Sequence, residues 1–226
     1  FDSAHALGSL YKGRPVGGGG VAEGFSTSVT KIFTTLGEGG FITTNDDTFA
    51  DRLRMARNWG HPGDYNARFP SIVSKLPEIA AAAGLIALPE LDGFVEWRNA
   101  LVQTAKDTLS QIPGLTFPKV RPGDRSGFKD FAMLVEPDAF GMDRNGLATA
   151  LRAENVETRP YYDPPVHTMD AYKAHNHRVP LTVTEQAAKR ALCLPLFNQM
   201  TEREMRQLCD AISTIHQHAN SLHESS

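Results

Sequence analysis

The hydrophobic pattern alternates between short extended runs and stretches spaced for helices. Residues 1–7 (FDSAHAL) read as a strand end entering a loop. Residues 11–20 read as loop, because no regular element tolerates four consecutive glycines, Gly17 to Gly20. Phe41, Ile42, Thr43 and Thr44 suit a buried strand. A helix capped by Asp46 or Asp47 follows, since Phe49, Leu53 and Ala56 recur on one face. Residues 60–71, with Pro62, Gly63 and Pro70, predict a loop. Residues 77–88 predict an alanine-rich helix, able to pack closely on another helix or a partner subunit. Residues 90–112 predict a long amphipathic helix, with Leu91, Phe94, Leu101, Leu109 and Ile112 inward and Pro113-Gly114 as its stop.

Beyond that helix the elements shorten. Residues 128–135 predict a strand, and residues 144–154 a helix with Leu147 and Leu151 inward. Residues 156–162 read as extended, leading into the turn PPVH, and residues 184–191 as a short helix. His175 and His177 read as part of a solvated loop. Residues 201–219 predict a closing helix whose stripe is Met205, Leu208, Ile212 and Ile215; residues 220–226 should fray. The alternation predicts an α/β chain in two parts: residues 1–112, ending in a linking helix, and residues 113–226, a smaller α/β domain.

Composition narrows the class. The 226 residues are 41% hydrophobic and 22% charged, as in ordinary globular proteins. A net charge of −3 gives no basic footprint for nucleic acid. No apolar run approaches the length of a membrane span. Cys193 and Cys209 lack metal or redox spacing, which predicts a reducing, cytoplasmic setting. The chain opens at Phe1 with neither methionine nor leader, which predicts a longer protein beginning upstream.

Chemistry concentrates between residues 25 and 45. Lys31 sits between Ser26, Thr27, Ser28 and Thr30 on one side and Gly37, Gly39 and Gly40 on the other. Alone, such a lysine is most often solvated; held on a turn before a strand, it is a candidate nucleophile. Pyridoxal phosphate needs a lysine amine, a carboxylate for the ring nitrogen, donors for the phosphate and a group near the ring hydroxyl. Lys31, Asp2, Ser26 and His5 can fill these roles in that order, although each also has a common structural explanation. No hydroxyl residue follows the lysine at phosphate-loop spacing, and no G-x-S-x-G occurs. His175 and His177 have no partner at metal spacing, so no metal is expected.

FDSAHALGS, residues 26–31 with GEGG, RNWG, KLPEIAAAAGL, TRPYYDPPVH and LCLPLFNQMTEREM follow one another over nearly the whole chain. This series resembles the DegT/DnrJ/EryC1/StrS family of pyridoxal-phosphate sugar aminotransferases. The resemblance implies a fold-type I architecture: the C-terminal part of the large cofactor domain plus a smaller α/β domain. It implies a homodimer with shared sites that transfers an amino group from glutamate or glutamine to a keto-sugar or related cyclic ketone. It places Lys31 on the Schiff-base lysine, Asp2 under the pyridine nitrogen, Ser26 on the phosphate, and His5 where many members have glutamine. A lysine at 31 argues against the dehydratase branch, which has histidine there. Lys75 keeps a basic group that reaches the neighbouring subunit's site, and Arg159, Tyr161 and His167 fall near the substrate entrance. Val73 replaces the usual asparagine, Trp59 the common histidine of RNHG, and Ser28 departs as well. These departures bear on phosphate contacts and substrate preference. A non-catalytic regulatory member and an inactive truncated remnant are the alternatives.

Overall fold

In the computed structural model the described residues are 1–175 and 179–219. His177 of the expected loop pair and residues 220–226 lie outside them. His175 ends a short 3-10 helix, Asp170–His175. The chain divides into two units, Phe1–Trp97 with Val120–Lys129, and Arg98–Lys119 with Asp130–Ser226. The boundary expected at Ile112 therefore lies inside the second unit.

The first unit opens with a small antiparallel hairpin, β1 (Leu10–Tyr11) and β2 (Arg14–Pro15). Strands β3 (Glu23–Ser26) and β4 (Gly40–Thr43) then pair antiparallel, Glu23 opposite Thr43 and Ser26 opposite Gly40. The opening segment adds a single parallel bridge, Asp2 to Gly24. Helix α1 (Asp47–Ala56) starts as its sequence predicts: the Asp46 carboxylate accepts the Phe49 amide at 2.9 Å. Helix α2 (Glu78–Ala87) follows Pro77, and a 3-10 turn, Leu88–Glu90, leads into α3 (Leu91–Leu109).

One expectation fails here. Phe41 and Ile42 do form a strand, but they are 40% and 53% exposed. The only strand partner of β4 among the described residues is β3, and Phe41 finds one aromatic neighbour, Phe25, at 5.0 Å. An apolar run specifies a strand; what covers the strand is decided elsewhere.

The second unit is a three-stranded antiparallel sheet with helices packed on it. Strands β5 (Leu115–Thr116), β6 (Phe131–Val135) and β7 (Ala191–Leu194) lie in that order. Helices α4 (Pro137–Phe140), α5 (Arg144–Ala153), α6 (Thr182–Arg190) and α7 (Glu202–Gln217) complete it. Phe131, Met133 and Val135 alternate inward from β6; α5 packs on β7 and α7, and Leu147, Leu151 and the predicted stripe of α7 are buried as well. The expected strand from 128 begins only at Phe131, because Phe128 turns at φ 47° with its amide on the Ser126 hydroxyl. Residues 156–162 make one antiparallel bridge, Arg159 to Cys193, rather than a strand. Ala191, expected to end a helix, starts β7 instead. No described helix is long and apolar enough to cross a membrane.

Candidate active site

The pairing of Asp2 with Gly24 fixes which side chains share a face. Paired residues on neighbouring strands project to one side, as does every second residue along a strand. Asp2 and Ser26 therefore lie on one face of β3, and the buried side chains of Glu23 and Phe25 lie on the other. Between them Gly24 leaves room: a Cβ there would meet no atom within 4 Å. One carboxylate oxygen of Asp2 accepts the Ala4 amide at 3.0 Å. Ser26 Oγ is approached by the Ser28 amide at 3.4 Å. His5 follows on an exposed turn.

Lys31 sits in the loop that joins β3 to β4. The loop is tied at its neck, where the Thr27 amide donates to Gly39 O at 2.9 Å and the buried Thr27 and Thr35 hydroxyls meet at 2.9 Å. A backbone turn from the Lys31 amide to Ser28 O, at 3.0 Å, shapes the approach. Ile32 and Phe33 are buried directly after it and root the loop. The Lys31 amine has no hydrogen-bond or ion-pair partner among the described residues.

Sequence reasoning missed Glu23. This carboxylate is 3% exposed, accepts the Ser3 hydroxyl and the Gly19 amide at 2.7 Å each, and so joins the residue after Asp2 to the glycine run. Those hydrogen bonds, the Gly19 amide first, hold its pKa below the ordinary value despite burial. Its only sequence signal is a lone acidic residue beside the glycines.

The remaining predicted residues lie apart from this group in the chain. Lys75 is exposed, with its ammonium 5.5 Å from the Trp59 ring centre. Val73 spends its backbone on a bridge to Asn58. In the second unit Arg159 is exposed and pairs with Glu157 at 2.6 Å, which raises its pKa. Tyr161 and His167 line an open cavity of about 770 Å³ with Tyr162, Tyr172 and Leu181. His167 Nε2 meets Glu185 at 3.1 Å. Beside that segment, buried Arg144 holds Asp163 at 2.5 Å.

A carboxylate and a hydroxyl on one open strand face, with a free amine in the loop that follows, are groups that suit a phosphorylated aromatic cofactor. The sequence profile of the DegT/DnrJ/EryC1/StrS aminotransferase family matches residues 1–213. The chain belongs to this family. The dTDP-3-amino-3,4,6-trideoxy-alpha-D-glucose transaminase of Streptomyces venezuelae is 30% identical over 93% of the chain and 54% of its own length. The Pleiotropic regulatory protein of Geobacillus stearothermophilus is 29% identical over 96% of the chain and 58% of its own. The crystal structure of DesI in the presence of its TDP-sugar product superposes with a TM-score of 0.91 at 28% identity, covering 100% of this chain and 57% of that one. The chain thus spans little more than half the length of the relatives it matches. The fold is that of the aminotransferases, as expected for this family.

Proposed function

We propose that this chain carries the reactive half of a pyridoxal-phosphate aminotransferase that aminates a keto-sugar, linked to a nucleotide, with glutamate or glutamine as donor. The reading includes a homodimer with shared sites, in the cytoplasm. The observation that carries it is the open face over Gly24, flanked by Asp2 and Ser26, with the unpaired Lys31 amine in the loop that follows. Asp2 would sit at the ring nitrogen and Ser26 at the phosphate. Lys31 would hold the cofactor covalently, and His5 would lie beside the ring. Bound pyridoxal phosphate supplies an electron sink that makes the proton on the amine-bearing carbon removable.

The chain's own part is then proton handling. The Asp2 carboxylate, one oxygen of which accepts the Ala4 amide, would hold the proton of the ring nitrogen. Lys31 Nζ would act as base and then as acid, moving the proton of the amine-bearing carbon between that carbon and the cofactor. Lys75 of one subunit, with Arg159, Tyr161 and His167, is assigned to substrate. A regulatory role of the kind one relative's name describes gives no reason for Asp2 and Lys31 together.

The spectrum of the purified protein with added pyridoxal phosphate tests this. A protein-bound band displaced from that of the free cofactor is expected, lost in Lys31→Ala. Amino transfer from glutamate to a nucleotide-linked keto-sugar should fall at least a thousandfold in the same variant. A band that survives Lys31→Ala would overturn the assignment.

A further inference from the structure

Behind the open face of β3 stands a buried charge with two partners. Asp2 is exposed, whereas Ser3, the next residue, is 5% exposed and Glu23 only 3%. Alternation sets Ser3 on the same buried side of β3 as Glu23, and the Ser3 hydroxyl donates to one Glu23 carboxylate oxygen at 2.7 Å. The other oxygen accepts the Gly19 amide at 2.7 Å. The glycine run that carries Gly19 is itself fastened to β4, where the Thr43 hydroxyl donates to Gly17 O at 2.6 Å. A path of short ties thus leads from β4 through the glycines and Glu23 to the residue beside Asp2.

The backbone pairing that carries Asp2 is short. Two hydrogen bonds join the opening segment to β3, the Gly24 amide to Phe1 O at 3.0 Å and the Ser3 amide to Gly24 O at 2.9 Å. Gly24, opposite Asp2, has no side chain to grip it. So brief a pairing specifies its register weakly. A slip of one residue would turn each side chain over, putting the Ser3 hydroxyl on the open face and the Asp2 carboxylate on the side of Glu23. Two carboxylates brought together in a buried place repel each other, and the Ser3 donor would be lost. The Gly19 and Ser3 hydrogen bonds hold the Glu23 pKa below its ordinary value, so that repulsion persists at neutral pH.

We propose that Glu23 is a positioning residue, holding Ser3 by attraction and excluding Asp2 by repulsion, and so fixing the register that turns Asp2 to the open face. This role rests on the place at the ring nitrogen proposed for Asp2 above. Glu23 touches no reacting atom. It keeps the Asp2 carboxylate aimed before a cofactor arrives, so that binding need not order the segment. Selecting one register over another is the best-attested use of a buried polar pair. Without either partner the segment samples the other register, and the carboxylate is aimed correctly for only part of the time. Cofactor affinity falls by that fraction.

Absorbance titration of the purified protein with pyridoxal phosphate tests this. Ser3→Ala and Glu23→Gln should each weaken the cofactor about tenfold, the scale of one lost charged hydrogen bond. In an Asp2→Ala background, itself weaker than the parent, the same changes should cost less than about twofold, because the group they aim is gone. In the free protein the Ser3 and Gly24 amides should exchange about tenfold faster in both variants, while those of β6 keep the parent's rate. Circular dichroism establishes that each variant is folded. Ser3→Ala, which leaves the Gly19 bond in place, decides the matter where a Glu23 variant does not fold. A parent with no cofactor band overturns the function proposed above, and the positioning role with it. A parent band with affinity unchanged in folded Ser3→Ala overturns the positioning role alone. So does a loss of equal size in the Asp2→Ala background, which would make Glu23 a general brace. Unchanged exchange of the Ser3 and Gly24 amides overturns it as well.

Discussion

Asp2 and Lys31 stand out in the sequence because a pyridoxal-phosphate site needs a carboxylate and a lysine, and the structure sets Asp2 beside β3 and Lys31 in the loop that follows it. Glu23 was not, because its partners Ser3 and Gly19 become neighbours only when the opening segment bridges to β3. A lone glutamate in sequence looks solvated; here it is buried and doubly bonded. Gly60 shows the same limit. Its φ is +79°, and a Cβ there would lie 2.1 Å from the Phe69 carbonyl oxygen, so only glycine lets the two backbones pass. Gly60→Ala should cost at least the 1–3 kcal/mol typical of a strained backbone position. The urea midpoint measures it, and a midpoint equal to the parent's would refute the close approach.

At the scale of elements, periodicity found the helices well. The apolar stripes of α5 and α7 are buried as their spacing requires, and Asp46 caps α1. Strands of two to five residues carry too little pattern to announce themselves: β5 and β7 were missed, and β6 starts late. Burial of β4 was misjudged because a strand's own residues do not say what lies over it. The glycine run illustrates an element held by charge. Glu23 has a folded pKa below its ordinary 4.5, so its hydrogen bonds stabilise the fold above that range. They are lost as pH falls through the lowered value. Thermal midpoints measured from pH 6 down to pH 3 should therefore drop more steeply for the parent than for Glu23→Gln. Parallel curves would remove the ion from the account.

At the scale of the molecule, the two units differ in how they are held together. Of the buried apolar side chains among the described residues, only Phe25, Ile32, Phe33 and Val95 belong to the first unit; the rest, from Leu101 to Ala219, fill the second. The first instead exposes Ile79, Leu85 and Ile86 along α2 and Val29 and Leu36 around the lysine loop. Hydrogen exchange should accordingly be slowest in β6, α5 and α7, and faster in β3 and β4. Leu147→Ala, at a site with no exposed surface, should cost about 2–5 kcal/mol and release the second unit's amides together. Equal protection of both units would contradict this contrast.

The neck of the lysine loop has a consequence for sequence variation. Ser26 opposite Gly40, the Thr27 amide on Gly39 and the paired Thr27 and Thr35 hydroxyls close residues 27–39 into a ring. A Cβ at Gly40 would stand 2.4 Å from Phe25 O and spread that closure. Lys31 lies between Thr27 and Thr35, while Leu36 and Glu38 lie exposed on the short segment between Thr35 and Gly39. A closed ring insulates one limb from the other. Residues 36–38 are therefore free to drift among homologues, acquiring or losing residues, while the amine keeps its position; Gly40 is not.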